Sequence, residues 1–186
     1  MLAPICRRAS AVAVLALVPS LAAGAAAGDS SVRAKIYSAF AGVKSYRLTV
    51  LGSVRSLGVW VAPNKYQITS EIEGKPIKTI IVGNDYWTFS GGKWEKSGTI
   101  SSNLDVDIAG LLRKAKADRG TPFVKLPEEI EDSKRVGTFQ YTFQDGTEET
   151  CNYDLRTYRV TRCKTPDVTL LYSGYNDPAN TVAIPK

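Results

Sequence analysis

Residues 136–164 read VGTFQYTFQDGTEETCNYDLRTYRVTRCK, and the grammar of this stretch decides the fold. Phe139, Tyr141 and Phe143 alternate with Thr138, Gln140 and Thr142, the period-two signature of a half-buried strand. Asp145-Gly146 follows as a turn signal. Residues 148–153 and 158–164 read as the next two strands, joined by a loop of roughly three to five residues around 156–158. That loop length sets Cys151 and Cys163 opposite each other on one face of an antiparallel pair, close enough for a disulfide.

The same grammar extends in both directions. Upstream, Tyr46, Leu48, Val50 and Val54 alternate with Arg47, Thr49, Ser53 and Arg55, and strands over 57–61, 66–72 and 77–82 follow. Pro63-Asn64-Lys65 and Gly74-Lys75-Pro76 separate them, turns short enough to force antiparallel neighbours. Residues 85–89 and 93–96 form a hairpin through Gly91-Gly92, where a positive φ costs little. Downstream, 168–175 and a short extended piece at 181–184 close the chain, for roughly nine or ten strands.

Two segments carry the helical period instead. Val32, Ile36, Phe40 and Val43 form one apolar face, with Ser30 or Ser31 as the expected cap and Gly42 as the expected left-handed stop. Residues 105–116 place Val106, Ile108, Ala109, Leu111, Leu112 and Ala115 on one side. Asp105 and Asp107 stand near the positive end of that helix and Arg113, Lys114 and Lys116 near its negative end, which reads as dipole complementarity and not as a metal site. The expected fold class is α+β: a strongly curved antiparallel β-sheet, an unclosed half-barrel, with helices covering the concave face.

The start of the chain reads as an export signal. Arg7 and Arg8 supply the positive region, residues 9–21 a short apolar run broken by Pro19, and Ala25-Ala26-Ala27 an A-x-A cleavage site. The expected organisation is a signal peptide over 1–27 and one domain over 28–186, soluble in the periplasm after cleavage. Over the 186 residues, 24 Lys and Arg against 18 Asp and Glu give a net charge of +6; loss of Arg7 and Arg8 leaves 22 against 18, or +4. An exported and only mildly basic protein is not expected to bind nucleic acid. Cys6 departs with the leader, and Cys151 and Cys163 remain as an even pair in an oxidising compartment.

Catalytic machinery is missing from the pattern. The chain has no histidine, which excludes Ser-His and Cys-His nucleophilic systems and any His-ligated metal. Glu128-Glu129, Glu131-Asp132 and Glu148-Glu149 are adjacent pairs whose members point to opposite sides of a strand, and they read as surface charge. Gly91-Gly92 precedes no helix start and so cradles no phosphate. We therefore expect no enzyme and no cofactor. The aromatic residues are more telling, because Tyr46, Trp60, Tyr66 and Tyr86 recur on first-half strands and Phe139, Tyr141 and Phe143 on a later one. A sheet curved around two short helices encloses more volume than they fill, so part of this set is expected to line a cavity.

With these elements in order, the chain resembles the LolA-like superfamily of periplasmic lipoprotein carriers and their mycobacterial lipid-binding relatives. The resemblance runs over about residues 30–185 and rests on VWVAPNKYQI, IIVGNDYWTFSGGKWEKSG, VGTFQYTFQDG, CNYDLRTYRVTRC and the ending YSGYNDPANTVAIP. It implies an unclosed barrel capped by helices whose apolar interior takes up acyl chains. The matching framework is Pro63, residues 83–94, 154–158 and 176–185. No position carries over an acyl-gating arginine; Arg47 and Arg55 are candidates only as basic residues on early strands. The disulfide pair lies outside the matching framework.

The function expected is a non-enzymatic extracytoplasmic carrier or binding protein for lipid or lipoprotein acyl chains, acting as a monomer. The expected cavity lining comprises Ile68, Ile81 and Tyr86 in the first half, Leu111 and Leu112 on the mid-chain helix, and Phe139 and Tyr141 in the second half. The alternative is an interaction or sensor domain with a packed interior that docks a membrane-bound protein partner. The volume of the interior separates the two.

Overall fold

The computed structural model describes residues 27–99, 123–142 and 146–185. Residues 1–26 of the expected leader and the expected helix over 105–116 lie outside the described residues, as do Phe143 and Asp145. Helix α1 (Ala27–Ala41) is followed by eleven strands: β1 (Ser45–Leu51), β2 (Arg55–Val61), β3 (Lys65–Ile72), β4 (Lys75–Val82), β5 (Asp85–Ser90), β6 (Lys93–Thr99), β7 (Phe123–Glu131), β8 (Lys134–Thr142), β9 (Glu148–Asp154), β10 (Val160–Lys164) and β11 (Thr169–Ser173). All belong to one antiparallel sheet in the order β6-β5-β4-β3-β2-β1-β11-β10-β9-β8-β7. Two meanders are thus joined through the β1–β11 pair, and among the described strands β6 and β7 are the two edges of an unclosed half-barrel.

The strand positions in 45–96 follow from side-chain alternation, since a slip by one residue would turn every buried residue outward. Tyr46 pairs with Trp60, Trp60 with Tyr66, and Tyr66 with Ile81, so one face receives the large apolar groups. We call this the inner face, because α1 packs on it. Ile36 and Phe40, one helical turn apart, are buried there with Tyr46, Trp60, Tyr153 and Val160.

Several expectations need correction. The sheet has eleven strands among the described residues, not nine or ten. Residues 123–131 had no strand signal because Pro127 cannot donate to a ladder, yet β7 tolerates it as an edge strand with a register shift between Leu126 and Glu129. Residues 181–184 are not a strand, and the strand expected from 158 begins at Val160, because Tyr158 adopts φ 56° in the preceding turn. Ser30 and Ser31 fall inside α1 instead of capping it. Gly42 is not in the left-handed region either; Val43 N–H bonds the Phe40 carbonyl at 3.0 Å and Asn176 Nδ2 donates to the Gly42 carbonyl at 3.1 Å, which closes the helix end through the tail.

That tail is held by side chains. Asn176, at φ 57°, accepts from Lys44 N–H at 2.6 Å, and Asn180 donates to the Gly174 carbonyl at 2.6 Å and to Ser45 Oγ at 3.1 Å. The buried Tyr175 hydroxyl donates to the Val160 carbonyl at 2.6 Å. Its pKa is raised by burial, with Arg159 opposing, so it stays a donor.

Candidate functional site

The site is built from the inner face outward. Across β1–β5 one row of paired residues runs Tyr46, Trp60, Tyr66, Ile81, Tyr86, and the next runs Leu48, Gly58, Ile68, Thr79. Gly58 lacks the side chain that would complete the second row, and an apolar hollow opens over it. Tyr46, Leu48, Val59, Trp60, Tyr66 and Ile68 surround it, and its volume is about 20 Å³. That is room for about one water-sized sphere. Trp60, which lines it, has its Nε1 buried without a hydrogen-bond acceptor among the described residues. Farther along the same face Ser56 and Ser70 bond each other at 2.8 Å.

Of the expected lining, Ile68 borders the hollow, Ile81 is buried in the first row, and Tyr86 stands half-buried at its end over Gly98. Phe139 lies elsewhere, in the core beneath α1, stacked on Phe123 at 4.8 Å and 6.2 Å from Tyr153. Tyr141 is half-buried on the same face, in register with Phe123 and Glu149. Leu111 and Leu112 lie outside the described residues.

Cys151 and Cys163 form a disulfide across the β9–β10 pair, with Cα atoms 4.1 Å apart and in direct register. Glu149, two residues before Cys151, shares that face: its carboxylate and the two sulfurs lie within 4.8 Å of one another. Because the sulfurs are bonded to each other, the trio does not make a metal site. Glu149 is 6% exposed, which corrects its reading as surface charge; Glu148 alone of that pair is exposed. Burial pushes the Glu149 carboxyl up to about 7. The signal was present in the sequence, since Glu149 shares the parity of Cys151 and Tyr153, but adjacency to Glu148 masked it.

The arginine candidates are used elsewhere. Arg47 pairs with Asp177 at 2.8 Å and donates to Asn180 Oδ1 at 2.9 Å, pinning the tail. Arg55 shares the parity of Leu57 on the outer face and is exposed. Neither reaches the inner face. The outer face of β7–β10 carries a polar network that spacing did not reveal, in which buried Asn152 donates to Thr138 Oγ1 at 3.0 Å and to Glu129 at 3.2 Å and accepts from Arg162 Nε at 3.2 Å.

Solved structures with this arrangement exist. The lipoprotein LppX of Mycobacterium tuberculosis superposes with a TM-score of 0.62 at 15% identity, covering 83% of this chain and 100% of that one. LprF from Mycobacterium bovis gives 0.59 at 12% identity, over 86% of this chain and 96% of that one. The chain has the fold of these two structures. No protein-family model and no curated protein matches the sequence. Among the described residues, no helix is long and apolar enough to cross a membrane.

Proposed function

We propose that the protein is a non-enzymatic extracytoplasmic binding protein or carrier for lipid or lipoprotein acyl chains, held on the inner face of the half-barrel. The observation that carries this reading is the half-open apolar surface of β1–β5. Leu48, Tyr66, Ile68 and Tyr86 face inward there and are only half-buried, while α1 packs over the opposite half. An acyl chain laid on such a surface gains about 0.8 kcal/mol per buried CH₂, so part of one chain suffices for useful affinity. Ile68, Ile81, Tyr86, Leu111, Leu112, Phe139 and Tyr141 remain the candidate ligand contacts.

A second reading has its own support. The interior beneath α1 is filled by Tyr46, Trp60, Phe139 and Tyr153, and the hollow beside it is small. A docking domain for a membrane-bound protein partner would have such an interior. A fluorescent fatty acyl probe distinguishes the two. The carrier reading expects saturable binding by wild type, weakened by Leu112→Asp, because a charge beside an apolar ligand is costly to desolvate, and by Gly58→Val, which fills the hollow. No binding at tens of micromolar probe, with the fold intact, would overturn it.

A further inference from the structure

The carrier reading leaves one buried group unused. Glu149 stands on the inner face with 6% of its surface exposed, and no hydrogen bond or ion pair to a described residue reaches its carboxylate. Its surroundings are apolar or weakly polar: the Cys151–Cys163 disulfide beside it, Tyr141 opposite it on β8, and Phe139 one row away. A carboxyl withdrawn from water without a partner is among the costlier arrangements a fold can hold, and such a group is normally paired. Among the described residues no such pairing group reaches Glu149.

What lies next to Glu149 points to what supplies it. From the disulfide, the same face continues through Leu170, which pairs with Cys163, to Val50, which pairs with Leu170, and on to Leu48 and the hollow over Gly58. Four strand spacings from β9 to β2 make this a path of about 19 Å. It is apolar along its length and has at one end a carboxyl without a partner among the described residues.

We propose that Glu149 is the polar anchor of the inner face, and that it pairs with an O–H or N–H donor at the polar end of an acyl ligand whose chain lies along Leu170, Val50 and Leu48. The anchor rests on the carrier reading and narrows its ligand class. Either protonation state of the carboxyl accepts a hydrogen bond from such a donor. With the Glu149 carboxyl ionised, a free fatty acid or a phosphate headgroup would instead set a second anion against it, a pairing that like-charge repulsion disfavours. The class is therefore a neutral acyl lipid that carries a hydroxyl or amide donor.

Four probes with one fluorescent acyl chain test this on the full mature chain at pH 8: a monoacylglycerol, a primary amide, a methyl ester and the free acid. The first two separate a hydroxyl source from an N–H source. At least one of them should bind about tenfold or more tighter than the ester and the acid, the worth of one hydrogen bond to a charged group. Glu149→Leu should remove that preference while the ester still binds. An ester that binds as tightly as both donor probes, or a preference that survives in a folded Glu149→Leu variant, overturns the anchor and leaves the carrier reading standing. Absence of binding by all four overturns both. Should the leucine variant not fold, ¹³C NMR of glutamate-labelled wild type decides: the Glu149 carboxyl resonance should move with a donor probe and stay with the ester, and a resonance that ignores every bound probe overturns the anchor.

Discussion

At Gly137 the backbone of β8 lies directly beneath the ring of Tyr153, and a Cβ built there would overlap that ring. Gly137→Ala should therefore destabilise the fold by about 1–3 kcal/mol, read as a lower denaturant midpoint at unchanged slope. Gly58 is the contrasting case. An added Cβ meets the Gln67 carbonyl at 3.6 Å, an ordinary contact, so Gly58→Ala should leave the midpoint unchanged or raise it slightly. Glu149 brings a pH dependence with a definite sign. Its folded pKa, raised by burial to about 7 from 4.5, means that the folded state holds a proton the unfolded state has released between those values. Stability should thus fall as pH rises from about 4.5 to 7, by up to about 3 kcal/mol, and Glu149→Gln should flatten that slope when unfolding is measured across the range. A profile unchanged by the substitution would assign the slope to other groups.

The element that ties the second meander together is the β9–β10 hairpin. Its turn is organised by Asp154, whose Oδ1 accepts from Thr157 N–H at 2.7 Å, Thr157 Oγ1 at 2.8 Å and Arg156 N–H at 3.1 Å. Burial pushes this carboxyl up, but the bonds from Thr157 and Arg156 outweigh it and hold Asp154 below its ordinary range. Beyond the turn, the disulfide closes a loop with a sequence separation of 12. Replacing both cysteines by alanine should cost roughly 2–3 kcal/mol, visible as a drop in Tm, since the cross-link removes conformations from the unfolded chain. Mass analysis of the non-reduced protein should find no free thiol at either position. This hairpin was legible beforehand because turn residues and alternation agree on it. Strand β7 was not, because a proline inside a strand is tolerated only where no neighbour needs its missing N–H, and that requires knowing which strand is the edge.

For the molecule as a whole, export is the first expectation to check. The small-residue site at 25–27 predicts a mature chain that begins between about Ala26 and Asp29, and N-terminal sequencing of the secreted protein that finds Met1 would refute it. The fold class, most strand positions and the cysteine pairing could be derived from the chain itself, because alternation and turn chemistry are local and repeat along 45–173. Whether a half-buried residue sits in a packed core or beside open space is different in kind. Phe139 and Ile68 share one strand pattern, yet Phe139 is sealed beneath α1 by Phe123 and Tyr153 while Ile68 borders the hollow over Gly58. Arg47 reads as an exposed cation until the tail returns to place Asp177 and Asn180 against it. Glu149 reads as surface charge until the folded sheet leaves it 6% exposed beside the Cys151–Cys163 disulfide. The period of the sequence determines which face a side chain takes; what covers that face depends on contacts between residues far apart in the chain, and only the tertiary structure decides it.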